Sequence, residues 1–186
     1  MAPCLIGPRP DLLLIAVAAQ IPSRPATAAV AQGQTVAMLD NGAPLIYGPC
    51  AWSLTALKDL ETEVIPGLSS FNAANAALQA GVTQGNNSHS VLLASGWSVG
   101  EMAVHQATMV LFTMRRGFKH FVDSLAQHYP AETPVAIVSH AGYAEKEKVT
   151  RGTLGTILGE VGAGKLPFEY LLYVGDFLSD GGRAAD

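Results

Sequence analysis

The chain has 186 residues, 49% of them hydrophobic and 14% charged, so it can bury a real core and is not a disordered segment. Its 11 Lys and Arg against 15 Asp and Glu give a formal net charge of −4, and the cations are scattered rather than striped, which argues against nucleic-acid binding through phosphate contacts. Cys4 and Cys50 make neither a disulfide framework nor a metal cluster, and the histidines sit at no metal-ligand spacing; a cytoplasmic, reducing setting without metal, nucleic acid or membrane is expected.

In chain order, prolines at 3, 8, 10, 22 and 25 bracket one apolar segment, LLLIAVAA at residues 12–19, which suits a short helix or a buried strand. The segment is too short to span a bilayer, and as a signal-peptide core it has only Arg9 as a charged flank. Residues 28–32 read as the last turn of a helix stopped at Gly33, and residues 35–39 (TVAML) as a buried strand. Asp40-Asn41-Gly42-Ala43-Pro44 is a loop with strong turn chemistry. A helix is expected over about residues 51–60 and a strand at 63–65, followed by a sharp Pro66-Gly67 turn. Ser69 and Ser70 are candidate N-caps for the helix beyond it, whose Ala73, Ala74, Ala76 and Ala77 allow close packing. The order β, loop, α, β, turn, α suggests a parallel α/β layer. A strand, a tight turn and a helix start are a common place for a bound small molecule; plain strand–helix packing is the simpler reading.

Residues 81–88 (GVTQGNNS) mark a domain boundary, giving domains 1–83 and 84–186. Strands are expected at 89–94, 108–113, 135–138 and 169–174, with 148–152 pairing antiparallel beside 135–138. Phe118, Phe121, Val122 and Leu125 form the stripe of an amphipathic helix, and residues 153–161 a second, short one. Five strands with two or three helices make a compact α/β unit around a mixed sheet.

Several features are decoys. Gly159 to Leu166 matches a phosphate-loop pattern, but Leu stands where Ser or Thr should hold magnesium, and the segment runs from helix to strand; a glycine C-cap explains it better. Cys50 has no histidine close in sequence, and a free cysteine is usually a small buried residue. Trp52, Phe71, Phe112 and Tyr143 suit core packing singly, although each can stack on a flat ligand. His89 and His140 flank strand ends and read as structural.

Four stretches in order resemble the tetrapyrrole (corrin and porphyrin) methylase family: LDNGAPLIYG at residues 39–48, VIPGLSSFNAA at 64–74, the run from TMVLFT through TPVAIV to EKEKVTRGTL, and YLLYVGDF near the end. The resemblance implies a two-domain α/β enzyme, usually a homodimer, that binds S-adenosylmethionine in a cleft between its domains and methylates a carbon of a precorrin-type macrocycle. Position by position, the family's cofactor loop falls on Asn41, Gly42, Ala43 and Ile46, and its helix start on Ser69 and Ser70. The strand-end place falls on Thr113 or Met114, and the place after the TPVAIV strand on Ala141 or Gly142. Arg115 and Arg116 are candidates for holding substrate carboxylates, a solvated junction being the equal alternative. Methyl transfer from a sulfonium needs alignment and exclusion of water, so no catalytic triad is required. The sequence departs from the family pattern twice. Residues 5–14 keep only an echo of the first glycine-rich loop, so a truncated or rearranged N-terminal region is expected, and Ala43 stands where Asp is usual. Two alternatives therefore stay open: a degenerate relative that no longer binds cofactor, and a methylase of this fold with an RNA or protein acceptor.

Overall fold

A computed structural model describes residues 12–16, 23–86, 88–113, 117–162 and 166–179. The chain divides into two compact units, one ending at Ser69 and the other starting at Ser70.

In the first unit, β1 (Leu12–Ala16) pairs in parallel with β2 (Thr35–Leu39), Leu12 opposite Thr35 and Ala16 opposite Leu39. The ambiguous apolar segment is thus a strand, and a parallel layer is present, but it is made by β1 with β2 and not by residues 35–39 with 63–65 as the element order suggested. Helix α1 (Ser23–Ala31) joins the two strands. It ends as anticipated at Gly33, whose φ of +79° lets its amide reach the Val30 carbonyl at 2.9 Å while that of Gln34 reaches Ala29 at 3.0 Å. Three expectations need correction. Strand β2 is not buried: Leu39 is 53% exposed, because a two-stranded layer covers little of itself. Helix α2 (Trp52–Ala56) is half the expected length. Residues 63–65 form no strand. Pro66 lacks an amide and holds Ile65 extended, but a run this short has no neighbouring strand to pair with, and Ile65 is left 76% exposed.

The second unit contains α3 (Ser70–Leu78), β3 (Val91–Ser95), α4 (Val99–Ala103), β4 (Thr108–Phe112), α5 (Phe118–Leu125), β5 (Pro134–Ser139), β6 (Lys148–Thr153), α6 (Ile157–Val161) and β7 (Tyr170–Val174). Its sheet has the order β3-β4-β7-β5-β6, with β3 parallel to β4 and every other pairing antiparallel. This is the mixed five-stranded α/β sheet expected, with Val91, Val110, Val135 and Leu172 on separate strands. Strand alternation sorts the core into two layers. Met109, Leu111, Ile137 and Leu172 pack with Phe121 and Leu125 of α5. Val110, Ala136, Val138 and Tyr173 pack with Ala74 and Leu78 of α3. Ala74 is fully buried, so the missing side chain is what brings α3 close to the sheet. Arg151 of β6 donates to the Leu78 carbonyl at 2.7 Å, placing a cation on the last turn of α3. The divisions at 83/84 and 69/70 differ in where α3 is counted; it packs on β5 and β7. Gly162 closes α6 at φ +67°, so that part of the false phosphate loop is indeed a helix stop.

Candidate functional site

The first unit carries its candidate residues on a loop that its own carboxylate holds in shape. Asp40, directly after β2, accepts the Asn41 amide at 2.7 Å and the Cys50 amide at 3.3 Å, tying both ends of residues 40–50 to one side chain. Gly42 takes φ +76° to reverse the chain, and the Ala43 carbonyl accepts the Ile46 amide at 3.2 Å. Gly67 then packs against this loop. A Cβ on Gly67 would overlap the Gly42 carbonyl oxygen and stand 3.1 Å from its carbon and 3.8 Å from the Ala43 nitrogen. Two stretches separated in sequence, 41–43 and 66–67, therefore meet backbone to backbone, in a contact only glycine allows. Ser69 is 3% exposed and stands at the N-cap place of α3. Cys50 is buried, and burial first, then the Asp40 carboxylate, push its thiol up; it is a packed core residue and not a nucleophile.

The second unit carries its own candidate residues at the carboxyl edge of its sheet. β4 and β5 both end there, β7 begins there, and α3 starts alongside. Thr113 is 4% exposed just beyond β4. The Gly96 amide donates to the Phe112 carbonyl at 2.8 Å, and a Cβ on Gly96 would come within 2.6 Å of the Thr113 carbonyl oxygen. Ala141 and Gly142 follow β5 in a turn where His140 has φ +50° and Gly142 φ +83°. The Gly142 amide donates to the Glu147 carboxylate at 2.7 Å, and a Cβ on Gly142 would lie 3.7 Å from that of Ala73. Ser70 opens α3, one turn ahead of Ala73. Of the sequence-predicted residues, Ser70, Thr113, Ala141 and Gly142 thus share one edge of the second unit. Asn41, Gly42, Ala43 and Ile46 share one loop of the first, with Gly67 behind it. Met114, Arg115 and Arg116 lie outside the described residues.

Sequence reasoning missed Asp40, Gly96 and Tyr170. Asp40 was legible as an Asp-Asn-Gly turn but not as the tie to Cys50, ten residues on. Gly96, in Ser-Gly-Trp-Ser after a strand, carried a turn signal that went unused. Tyr170 begins β7 with its ring edge-on to Phe118 at 6.3 Å. Burial raises its phenol to about 12; its hydroxyl lies beside Thr113 yet makes no hydrogen bond of good geometry. Among the described residues no group of three His, Cys, Asp or Glu could hold a metal ion, and no helix is long and apolar enough to cross a membrane.

Glycine-backed loops at strand ends of an α/β sheet are the architecture of a small-molecule site. The sequence matches the family described as Tetrapyrrole (Corrin/Porphyrin) Methylases over residues 11–158. It is 31% identical over 164 residues to the precorrin-4 C(11)-methyltransferase of Pseudomonas aeruginosa, covering 82% of this chain and 65% of that one. Identity to the cobalt-precorrin-4 C(11)-methyltransferase of Methanocaldococcus jannaschii is 33% over 163 residues, covering 81% of this chain and 62% of that one. The solved uroporphyrin-III C-methyltransferase of Thermus thermophilus superposes with a TM-score of 0.68 at 26% identity, over 84% of this chain and 71% of that one. A cobalt precorrin-4 methyltransferase structure, at 22% identity, has the same fold, with a TM-score of 0.72 over 87% of this chain and 73% of that one. The chain belongs to the tetrapyrrole methylases, a family of S-adenosylmethionine-dependent methyltransferases. It spans just under two thirds of the length of these curated relatives.

The residues fit the family's cofactor. Gly42 and Ala43 carry little side-chain bulk on a loop of the first unit fixed by Asp40 and Gly67. An adenosyl sulfonium held largely by backbone groups needs such surfaces.

Proposed function

We propose that this chain is a cytoplasmic S-adenosylmethionine-dependent methyltransferase, acting as a homodimer on a carbon of a precorrin-type tetrapyrrole in corrin biosynthesis. The observation that carries the reading is the 31% and 33% identity to precorrin-4 and cobalt-precorrin-4 C(11)-methyltransferases, against 26% to the uroporphyrinogen-III C-methyltransferase of Cyanidium caldarium. Bound, the cofactor supplies a methyl group already activated on sulfur. Asn41, Gly42, Ala43 and Ile46 hold it from the first unit, and Ser69 and Ser70 from the α3 start. Thr113 or Met114 and Ala141 or Gly142 hold it from the strand ends of the second. Arg115 and Arg116 take macrocycle carboxylates. The exposed Leu45, Ile65 and Leu68 give the first unit apolar surface suited to a dimer contact.

Ala43 supports a second reading, a relative that keeps the fold and has lost the cofactor. Calorimetric titration with S-adenosylhomocysteine separates the two: binding is expected, and its absence overturns the methyltransferase reading. Incubation with S-adenosylmethionine and either cobalt-precorrin-4 or uroporphyrinogen III, followed by mass spectrometry, then tests the acceptor. One added methyl on the first and none on the second is expected; the reverse overturns the precorrin assignment.

A further inference from the structure

We infer that Asn41–Gly42 is a self-modifying site, at which the Asn41 carboxamide is lost to its own backbone and the loop of residues 40–50 is deformed. The Gly42 amide nitrogen attacks Cγ of Asn41, forming a C–N bond. The Cγ–Nδ2 bond breaks, and ammonia leaves with the proton from the Gly42 nitrogen. Water then opens the resulting succinimide at either carbonyl, leaving aspartate or isoaspartate at this position. Water is the only co-reactant, so the step needs no enzyme and no oxidant.

Sequence and structure single out this pair together. Asn41 alone among the asparagines of the chain precedes glycine, the residue that puts no Cβ in the path of the closing ring. Both residues are exposed, so water reaches the ring and ammonia escapes. Among the described residues the Gly42 amide has no hydrogen-bond acceptor and the Asn41 carboxamide no partner, so neither reacting group is withheld. The surroundings hold the rest of the loop instead. Asp40 takes the Asn41 amide at 2.7 Å and the Cys50 amide at 3.3 Å, and Gly67 covers the Gly42 carbonyl. Asn72 and Asn75 make the contrast: each precedes an alanine on α3, whose amide is committed to the helix.

The same restraint gives the modification its effect. Opening toward isoaspartate routes the main chain through Cβ and lengthens it by about 1.5 Å. A loop tied at both ends to Asp40, with its Gly42 carbonyl already against Gly67, has no slack for that length. Either product also sets a new carboxylate next to Asp40. The deformation stands on the loop alone; the loss of ligand binding rests on the methyltransferase reading.

For the test, the purified chain is incubated folded and, in parallel, unfolded in urea, and position 41 is followed by peptide mass spectrometry. Folded protein should convert at a rate within about tenfold of the unfolded chain, because an unprotected amide needs no opening of the structure. The converted form, separated by anion exchange through its added negative charge, should melt at a lower temperature than the parent. It should bind S-adenosylhomocysteine about tenfold more weakly. Asn41→Gln, whose longer side chain closes its ring poorly, should keep its own initial mass and melting temperature over the same interval. An Asn41 that stays intact in the folded protein while the unfolded chain converts overturns the inference, as does a converted form that melts as the parent does. A converted form that melts lower yet binds S-adenosylhomocysteine as the parent does bears out the deformed loop and overturns the place given to Asn41 at the cofactor. A fresh parent that binds no S-adenosylhomocysteine overturns the methyltransferase reading, and conversion rate and melting then decide the inference by themselves.

Discussion

Gly67→Ala is the substitution that interrogates the candidate loop of the first unit most directly. The added methyl would overlap the Gly42 carbonyl oxygen and sit 3.1 Å from the Gly42 carbon. Contact between such atoms is comfortable only near about 3.5 Å, so one of the two backbones must move. Gly67 has no positive φ to lose, so the effect is steric and isolates the contact between loops. Overpacking of this kind costs about 1–3 kcal/mol. Part falls on stability, and part displaces residues 41–43, lowering the affinity for S-adenosylhomocysteine by about tenfold if 1.4 kcal/mol of it reaches the bound state. Gly33→Ala is the control. Gly33 has φ +79° and nothing within 4 Å of an added Cβ, so the change costs about 1 kcal/mol of backbone strain and leaves ligand affinity alone. Calorimetric titration and thermal melts of both variants decide the matter. Equal ligand affinity in Gly67→Ala and the parent would refute the role given to this contact.

Three further outcomes are expected. Ser69→Ala should cost about 1 kcal/mol of stability, read by denaturant melts, because Ser69 occupies the N-cap place of α3; unchanged stability and ligand affinity would remove it from the account. Ala43→Asp should strengthen cofactor binding by up to about tenfold, since Pro44 keeps position 43 extended while the carboxylate restores a hydrogen-bond acceptor; calorimetry on both forms tests this, and no gain would sever Ala43 from the cofactor. Tyr129 donates to the Ala107 carbonyl at 2.7 Å, and burial pushes its phenol to about 12. The folded-state value lies above the unfolded one, so this contribution is complete below about pH 10 and is lost as pH rises toward 12. Tyr129→Phe should cost about 1 kcal/mol at neutral pH and flatten the alkaline loss of melting temperature. Parallel curves for the two proteins would contradict it.

The second unit was legible because its strands are apolar runs bounded by turn residues, and the Phe118–Leu125 stripe matches a helix end to end. Helix α4 was not, since five residues of Val-Gly-Glu-Met-Ala carry too little periodicity to register. In the first unit the reading stretched α2 and placed a strand at 63–65, because local apolar pattern does not reveal whether a partner strand is at hand. At the site, sequence named the cofactor loop and the strand ends by resemblance. It did not reveal that Gly67 closes on Gly42, which is a fact of backbone proximity across 25 residues and leaves no mark on composition.

Strand β7, the last of the described strands, lies in the middle of its sheet, hydrogen-bonded to β4 on one side and β5 on the other. During synthesis, β4 and β5 therefore wait with open apolar edges until residues 170–174 have left the ribosome. Until then each is a template for pairing with another nascent chain. Closing the sheet joins positions some sixty residues apart, from Met109–Phe112 to Leu171–Val174, a non-local step that folds slowly. Premature termination anywhere before β7 should thus yield an aggregating product rather than a smaller folded one, and cells making this protein should depend on holdase chaperones most heavily in the final stage of translation.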